Sequence, residues 1–268
     1  MWIQIFYKSL TSTSTRRRPT RRRLPPSRPR LEILEDRCLL SAVHALFDLG
    51  SPAGGPFASD RFTVADRTQN TGRRVNLPLP NPVTNPSDYQ DTQVLNTLDG
   101  FNLQPRLSIP FDGPIDANSV TSQTVFLVSL GDTLNRRDHG GQVVGINQVV
   151  WDPPTHTLHV ESDQLLDQHT RYALVVTSGV HGQDGQPALA TPAFRHFRQD
   201  LAHTHDPVLK FYRRELIDAL HAARDVGVRE EDIVTASVFT TLRVYPIRGV
   251  KPPCGSRTQP GLPWGVAD

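Results

Sequence analysis

The chain has 268 residues, room for one core of ordinary size with tails, and its formal charge of +2 conceals two unlike parts. Residues 1–30 hold nine cations and no acid, so residues 31–268 set the other 20 of the 29 Lys and Arg against all 27 acids and sum to −7. A basic head on an acidic body excludes a fold-wide nucleic-acid surface, two cysteines exclude a disulfide framework, and the lack of an apolar run of roughly 18 residues excludes a spanning helix.

The head opens with an aromatic and apolar stretch, Met1 to Leu10, followed by alternating Thr and Ser and then Arg16-Arg17-Arg18-Pro19-Thr20-Arg21-Arg22-Arg23. Like charges at this density repel and the prolines block a helix, so residues 1–45 are expected to form a disordered basic leader. Six arginines in eight residues would draw any polyanion non-specifically. With no aromatic interleaving or folded reader beside them, no specific nucleic acid is expected, and attraction to membrane phospholipid is the expected use. The next stretch, Leu31-Glu32-Ile33-Leu34-Glu35-Asp36-Arg37-Cys38-Leu39-Leu40-Ser41, can place its leucines on one helical face with Glu32, Glu35 and Asp36 opposite.

That stretch resembles the bacterial export tag of the LEPR-XLL type, which follows an arginine-rich leader in large surface and secreted proteins. The resemblance implies export to the cell surface or beyond, with the export machinery as the partner of the head. The residues that would carry the signal are Leu31, Glu32, Leu34, Glu35, Arg37, Leu39, Leu40 and Ser41. The stretch departs from a standard secretory signal, which needs an uninterrupted apolar segment of roughly 7–15 residues. A nucleic-acid arm and a mitochondrial-type presequence are the other readings, and the acidic second half argues against the latter.

Residues 46–59 are expected to be a linker with a flexible spacer at Gly50–Gly55, followed by an edge strand at Arg61–Ala65. Leu77-Pro78-Leu79-Pro80-Asn81-Pro82 is confined to polyproline-like backbone. Asp88 to Leu98 predicts one or two helical turns that place Val94, Leu95 and Leu98 on the core, closed by a turn at Asp99-Gly100.

From Leu103 to Val180 the patterning is that of a β-sandwich, with β-branched and aromatic runs spaced by turn residues. The runs are Leu107–Phe111, Ser119–Leu130, Gln142–Trp151, Thr157–Glu161 and Arg171–Thr177, with a solvated hairpin loop at Asn135–Gly141. Val125, Leu127 and Ser129 alternate with Thr124, Phe126 and Val128, as in a strand buried on both faces. Val149, Trp151, Leu158, Val160, Tyr172, Leu174 and Val176 are the expected core.

Asp206 and Pro207 then start a helix over about 207–226 that Gly227 closes, and its apolar residues recur at helical spacing. It is expected on the sandwich surface, ahead of a last strand at 232–241. Residues 242–268 are rich in Pro and Gly and lack periodicity, which predicts an unstructured tail. The abrupt loss of patterning after Thr241 reads as a truncated or frame-shifted gene product.

Two phrases carry a second resemblance. Phe111-x-x-Pro114-Ile115-Asp116-x-x-Ser119-Val120 and Tyr172-x-Leu174-x-Val176-Thr177-x-Gly179-Val180-x-x-x-x-Gly185 are similar to phrases of SbsA-type bacterial Ig-like modules. With Leu77-Pro78-x-Pro80-Asn81 and the stretch from Leu98 they resemble, over about 60–241, the non-catalytic N-terminal region of bacterial extracellular lipases. The resemblance implies a mainly β, Ig-like sandwich over 60–241, its core module at about 100–190. It further implies a structural, adhesion or accessory element of a surface or secreted protein, with other surface-protein modules as partners. The alternatives are the accessory region of a secreted lipase-like hydrolase that has lost its catalytic half, or a carbohydrate-binding sandwich. The last would need a row of exposed aromatics that the sequence does not display.

No catalytic apparatus is expected, because the chain contains no Gly-x-Ser-x-Gly; Val128-Ser129-Leu130-Gly131 lacks the first glycine. His203-x-His205 and His156-x-x-His159 have spacings that can hold zinc, but polar loops and a turn account for them and no metal or other cofactor is expected. Asp112, Asp116 and Asp184 fall where turns of such modules can hold calcium, yet Gly113, Pro114 and Gly185 already explain them as turn residues. Glu161, Asp163 and Asp167 could mimic a glycosidase pair, and acids at strand ends are ordinarily solvated.

Overall fold

The structure, a computed structural model, describes residues 42–135, 137–200 and 205–244. The fold is mainly β, as the patterning predicts. In chain order it comprises β1 (His44–Ala45), β2 (Thr63–Ala65), β3 (Arg73–Val75), α1 (Pro86–Leu95), β4 (Leu107–Pro110) and β5 (Val125–Asp132). There follow β6 (Val143–Val144), β7 (Ile146–Asp152), β8 (Thr157–Ser162), β9 (Thr170–Thr177), β10 (Leu189–Ala190), α2 (Pro192–Asp200), α3 (Pro207–Asp225) and β11 (Ile233–Thr240). A four-stranded sheet in the order β11-β9-β5-β6 and a three-stranded sheet in the order β4-β8-β7 make the sandwich. The run Gln142–Trp151 supplies an edge strand to each sheet, because the chain crosses between them at Gly145.

Strand register sorts the side chains. Val125, Leu127, Tyr172, Leu174, Val176 and Phe239 share one face of the four-stranded sheet, and Phe126, Val128, Ala173, Val175, Ala236 and Val238 share the other. Arg171 lies on the second face and pairs with Glu215 of α3, so the helix covers that face while the other looks into the sandwich. Both faces are therefore dry, and β5, β9 and β11 are buried almost throughout. Ala173 and Ala236 on the face that the helix covers, and Ala219 and Ala223 on the buried side of the helix, are all nearly without exposure. The three-stranded sheet is apolar on one face only: along β8, Leu158, Val160 and Ser162 are buried and Thr157, His159 and Glu161 are half-buried.

Helix α3 forms where its sequence says, with Asp206 accepting the Val208 N–H at 2.9 Å and Gly227 closing it at φ +96°. It lies on the sandwich surface as expected, with Tyr212, Glu215, Leu216, Ala219, Leu220 and Ala223 buried against the sheet and Lys210, Arg214, Asp218 and His221 exposed. The corrections to the expected elements have local causes. The expected linker at 46–59 belongs to the fold, with Phe47 and Ala58 in the core, and so does the end of the expected 1–45 leader, where Val43 and Ala45 are buried and β1 pairs in parallel with β10. Its glycine-rich part is a closed loop, tied by Asp48 N–H to Gly54 O at 2.8 Å and by Gly50 N–H to the Asp48 carboxylate at 2.7 Å.

Helix α2, which the sequence reading did not anticipate, seats Phe194 and Phe197 against Phe47 at ring distances of 5.0 and 6.0 Å. Helix α1 turns Val94 and Leu95 outward instead of into the core, at 64% and 44% exposure, and is held through polar bonds between Asn96 and Leu77. Val149 is also exposed, because the β7 register slips between Asn147 and Val150. The expected tail starts later than Leu242: Leu242 N–H donates to Phe101 O at 2.7 Å, and Arg243 N–H to the Asp99 carboxylate at 3.1 Å. Gly100 admits this seam, since a Cβ there would lie 2.7 Å from the backbone of Thr240–Leu242.

Packing of residues 43–58 into the core gives a stability test. Phe47→Ala is expected to lower the unfolding free energy by about 3 kcal/mol, as a buried aromatic does, whereas Val94→Ala stays within about 0.5 kcal/mol. Urea denaturation of the two variants checks this; equal, small effects would return 46–59 to the status of a linker.

Candidate functional site

The export-tag residues Leu31, Glu32, Leu34, Glu35, Arg37, Leu39, Leu40 and Ser41 lie outside the described residues, as do His203 and residues 245–268. The other singled-out groups are held apart. His156 sits in the β7–β8 turn at φ 49°, stacked on Trp151, while His159 lies on the outer face of β8 with its Nδ1 2.9 Å from Ser108 Oγ. His205 is exposed just ahead of α3.

The turn aspartates bind groups of the protein, Asp116 and Asp184 within their own loops and Asp112 across to β1. Asp112 accepts from His44 N–H at 2.6 Å, Asp116 from Asn118 N–H at 3.0 Å, and Asp184 from Gln186 N–H at 3.0 Å. Glu161 is half-buried on the outer face of β8, and Asp163 and Asp167 follow in the loop before β9.

A group of charged side chains that the sequence reading did not single out lies beneath α3. Asp60, only 1% exposed, follows Ser59 in the segment that leads from the sandwich edge into β2. Its carboxylate accepts the Thr240 backbone N–H at 3.0 Å and the Thr240 hydroxyl at 2.6 Å. Arg73, on β3, donates to Glu215 Oε1 at 2.7 Å and to Thr63 Oγ1 at 3.0 Å, and its Nη1 stands 3.8 Å from Asp60. Arg171 of β9 reaches the same Glu215 oxygen at 3.3 Å. The Arg73 guanidinium also lies 4.7 Å over the Phe211 ring. Next to this group, Tyr212 accepts hydrogen bonds from Ser59 Oγ at 2.8 Å and from Val238 N–H at 3.3 Å.

Two carboxylates and two guanidiniums thus compensate one another where water is excluded. Burial pushes the Glu215 carboxyl up to about 7, outweighing the opposing pull of Arg73, with Asp60 adding to the rise. Burial also raises Asp60, against Arg73, Thr240 and Arg171, and raises the Tyr212 phenol. One signal for the cluster stood in the sequence: Glu215 shares the apolar helix stripe with Tyr212, Leu216 and Ala219. Its partners come from three distant segments and left no local pattern. What the arrangement does is bind segment 59–60, the β2–β3 hairpin, α3 and β11 into one body.

Comparison with known proteins adds little to the fold. No protein-family model matches the chain, and no curated protein matches it. Among solved structures, a likeness is found to the N-terminal part of the bacterial S-layer protein SbsC, with a TM-score of 0.25 and 13% identity over 40% of this chain and 26% of that one.

The cluster makes stability fall as pH rises. Between the ordinary glutamate value of 4.5 and about 7, the folded protein holds a proton on Glu215 that the unfolded chain releases. The stabilisation is complete below the lower value and lost through the upper one, by about 3 kcal/mol for a shift of this size. Urea midpoints at pH 5 and pH 7.5 are expected to show the loss in the wild type and a flatter profile in Glu215→Gln; parallel profiles would refute the assignment.

Proposed function

We propose that this protein is a non-catalytic, exported Ig-like module that serves as a structural or adhesion element of a bacterial cell-surface or secreted protein. The observation that carries the reading is that the two phrases resembling SbsA-type modules lie against each other in the fold. Ile115 pairs with Gly182, Asp116 N–H donates to His181 O at 2.8 Å, and His181 N–H donates to Ser119 Oγ at 2.9 Å. The two phrases, far apart in the chain, are thus joined by backbone and side-chain bonds in the sandwich. The cluster beneath α3 supports the same reading, since its charges pair with one another and Asp60 bonds the backbone of β11. The export part of the proposal rests on the tag-like stretch from Leu31 to Ser41.

Export is tested by protease treatment of intact cells of a bacterium whose own surface proteins carry the same kind of tag. The full chain is expected to be cleaved from outside, and the double variant Leu39→Asp, Leu40→Asp to stay protected inside with an unchanged melting temperature. Protection of the wild type in intact cells would overturn export. Hydrolysis of 4-nitrophenyl butyrate by the purified chain, abolished in Ser108→Ala, would overturn the non-catalytic part.

A further inference from the structure

We propose that the outer face of the three-stranded sheet is a binding site for a neutral saccharide. Register sets two rows of side chains across this face: Ser108, His159 and Val150 in one, Pro110, Thr157 and Asp152 in the next. The segment that precedes β2 and the extended stretch after β3 overhang these rows and turn the face into an open groove of about 540 Å³. That is within the size range of small-ligand sites.

The floor of the groove is polar and almost uncharged. Thr155 donates its hydroxyl to Asp152 at 2.6 Å and Thr157 donates its own to Thr155 O at 3.1 Å, so both offer their oxygens as acceptors beside the Asp152 carboxylate and the Ser108 hydroxyl. His159 uses Nδ1 on Ser108, which leaves Nε2 for a ligand. Burial holds this imidazole below its ordinary range, with Arg106 acting in the same direction, so the ring is neutral at neutral pH. The walls are C–H surfaces: Pro52 and Phe57 on one side, Leu77 and Pro78 on the other.

This chemistry selects among ligands. Among the described residues no Lys or Arg lines the groove, Arg106 standing outside its lining, so a phosphate, sulfate or carboxylate would meet Asp152 with no counter-charge in the groove itself. An extended peptide draws its affinity from an unpaired strand edge. Here β8 is the central strand and Phe57 bridges β4 at Ser108, while the edge strand β7 enters the groove only through Asp152, so the floor offers chiefly side chains. A sugar ring fits both surfaces, with C–H faces for the proline and aromatic walls and hydroxyls for Ser108, Thr157, His159 and Asp152. The proposal stands on the groove alone and succeeds or fails separately from export.

The test uses the purified full chain in NMR titrations with cellobiose, maltose and N,N′-diacetylchitobiose, following the His159 ring signals, assigned with His159→Gln. A saturable shift with at least one sugar at millimolar concentration is expected. Asp152→Asn and Thr157→Val, both near-isosteric and checked for an unchanged melting temperature, are expected to weaken it at least tenfold. Asp184→Asn, in a turn outside the groove, is expected to leave it unchanged. Absence of a saturable shift with all three sugars, or a shift indifferent to Asp152→Asn, would overturn the proposal. So would saturation by a decaproline peptide with no response to sugar.

Discussion

The contact on which the rest of the fold depends is the bond between Asp60 and Thr240, made inside the protein and backed by Arg73, Glu215 and Arg171. A carboxylate this deep is tolerable only if its charge is met: Arg73 stands 3.8 Å from it, and the charge of Arg171, on a different strand, acts on it from farther off. Breaking any member would strand the others, so the parts that supply them must dock together. The cluster thereby fixes where α3 can lie: sliding the helix by one turn would move Glu215 away from both guanidiniums and leave two cations facing apolar side chains. Pairs of this kind are weak evidence for net stability, but they discriminate between one packing and its near neighbours.

Around that fixed point the layers follow from side-chain size. The four-stranded sheet puts large residues such as Tyr172, Leu174 and Phe239 toward the sandwich and small ones such as Ala173 and Ala236 toward the helix. Segment 43–60 then runs along the edges that would otherwise be open. It gives backbone bonds to β4 and β10 on the way and finishes at Ser59 and Asp60 beneath the helix. Among the described residues, the groove floor is a broad sheet face left partly accessible, and there β8 keeps its polar alternation.

Much of this was legible in the chain. The strands β5, β8, β9 and β11 announced themselves because burial on one face or on both leaves a plain pattern, and α3 because Asp206, Pro207 and Gly227 mark its ends. What stayed hidden depended on partners remote in sequence. Val43, Ala45 and Phe47 look like a few apolar residues before a glycine-rich spacer until β10 pairs with β1 and α2 brings Phe194 and Phe197 against Phe47. Val94 and Leu95 look like a helix core face, but α1 is anchored by Asn96 and needs no apolar seat. Val149 alternates correctly in sequence, and a slip of register turns it outward. The charged cluster gave one clue, a glutamate on an apolar stripe, and its three partners could not be named without the fold. The groove was equally unreadable, since Ser108, Asp152 and His159 become neighbours only through strand pairing.

The parallel pairing of β1 with β10 has a mechanical side. It spans two residue pairs, His44 with Leu189 and Ala45 with Ala190, and Leu46 adds one bond to Pro110. Tension entering ahead of residue 42 would load this short ladder first and reach the anchor at Ser59 and Asp60 only after the intervening chain had paid out. Resistance to force depends on the barrier to rupture and not on equilibrium stability. A module wired in this way would give in two steps, a small extension at the first strand and then the opening of the sandwich. The first segment would act as a fuse that absorbs a sudden pull while the body behind it stays shut.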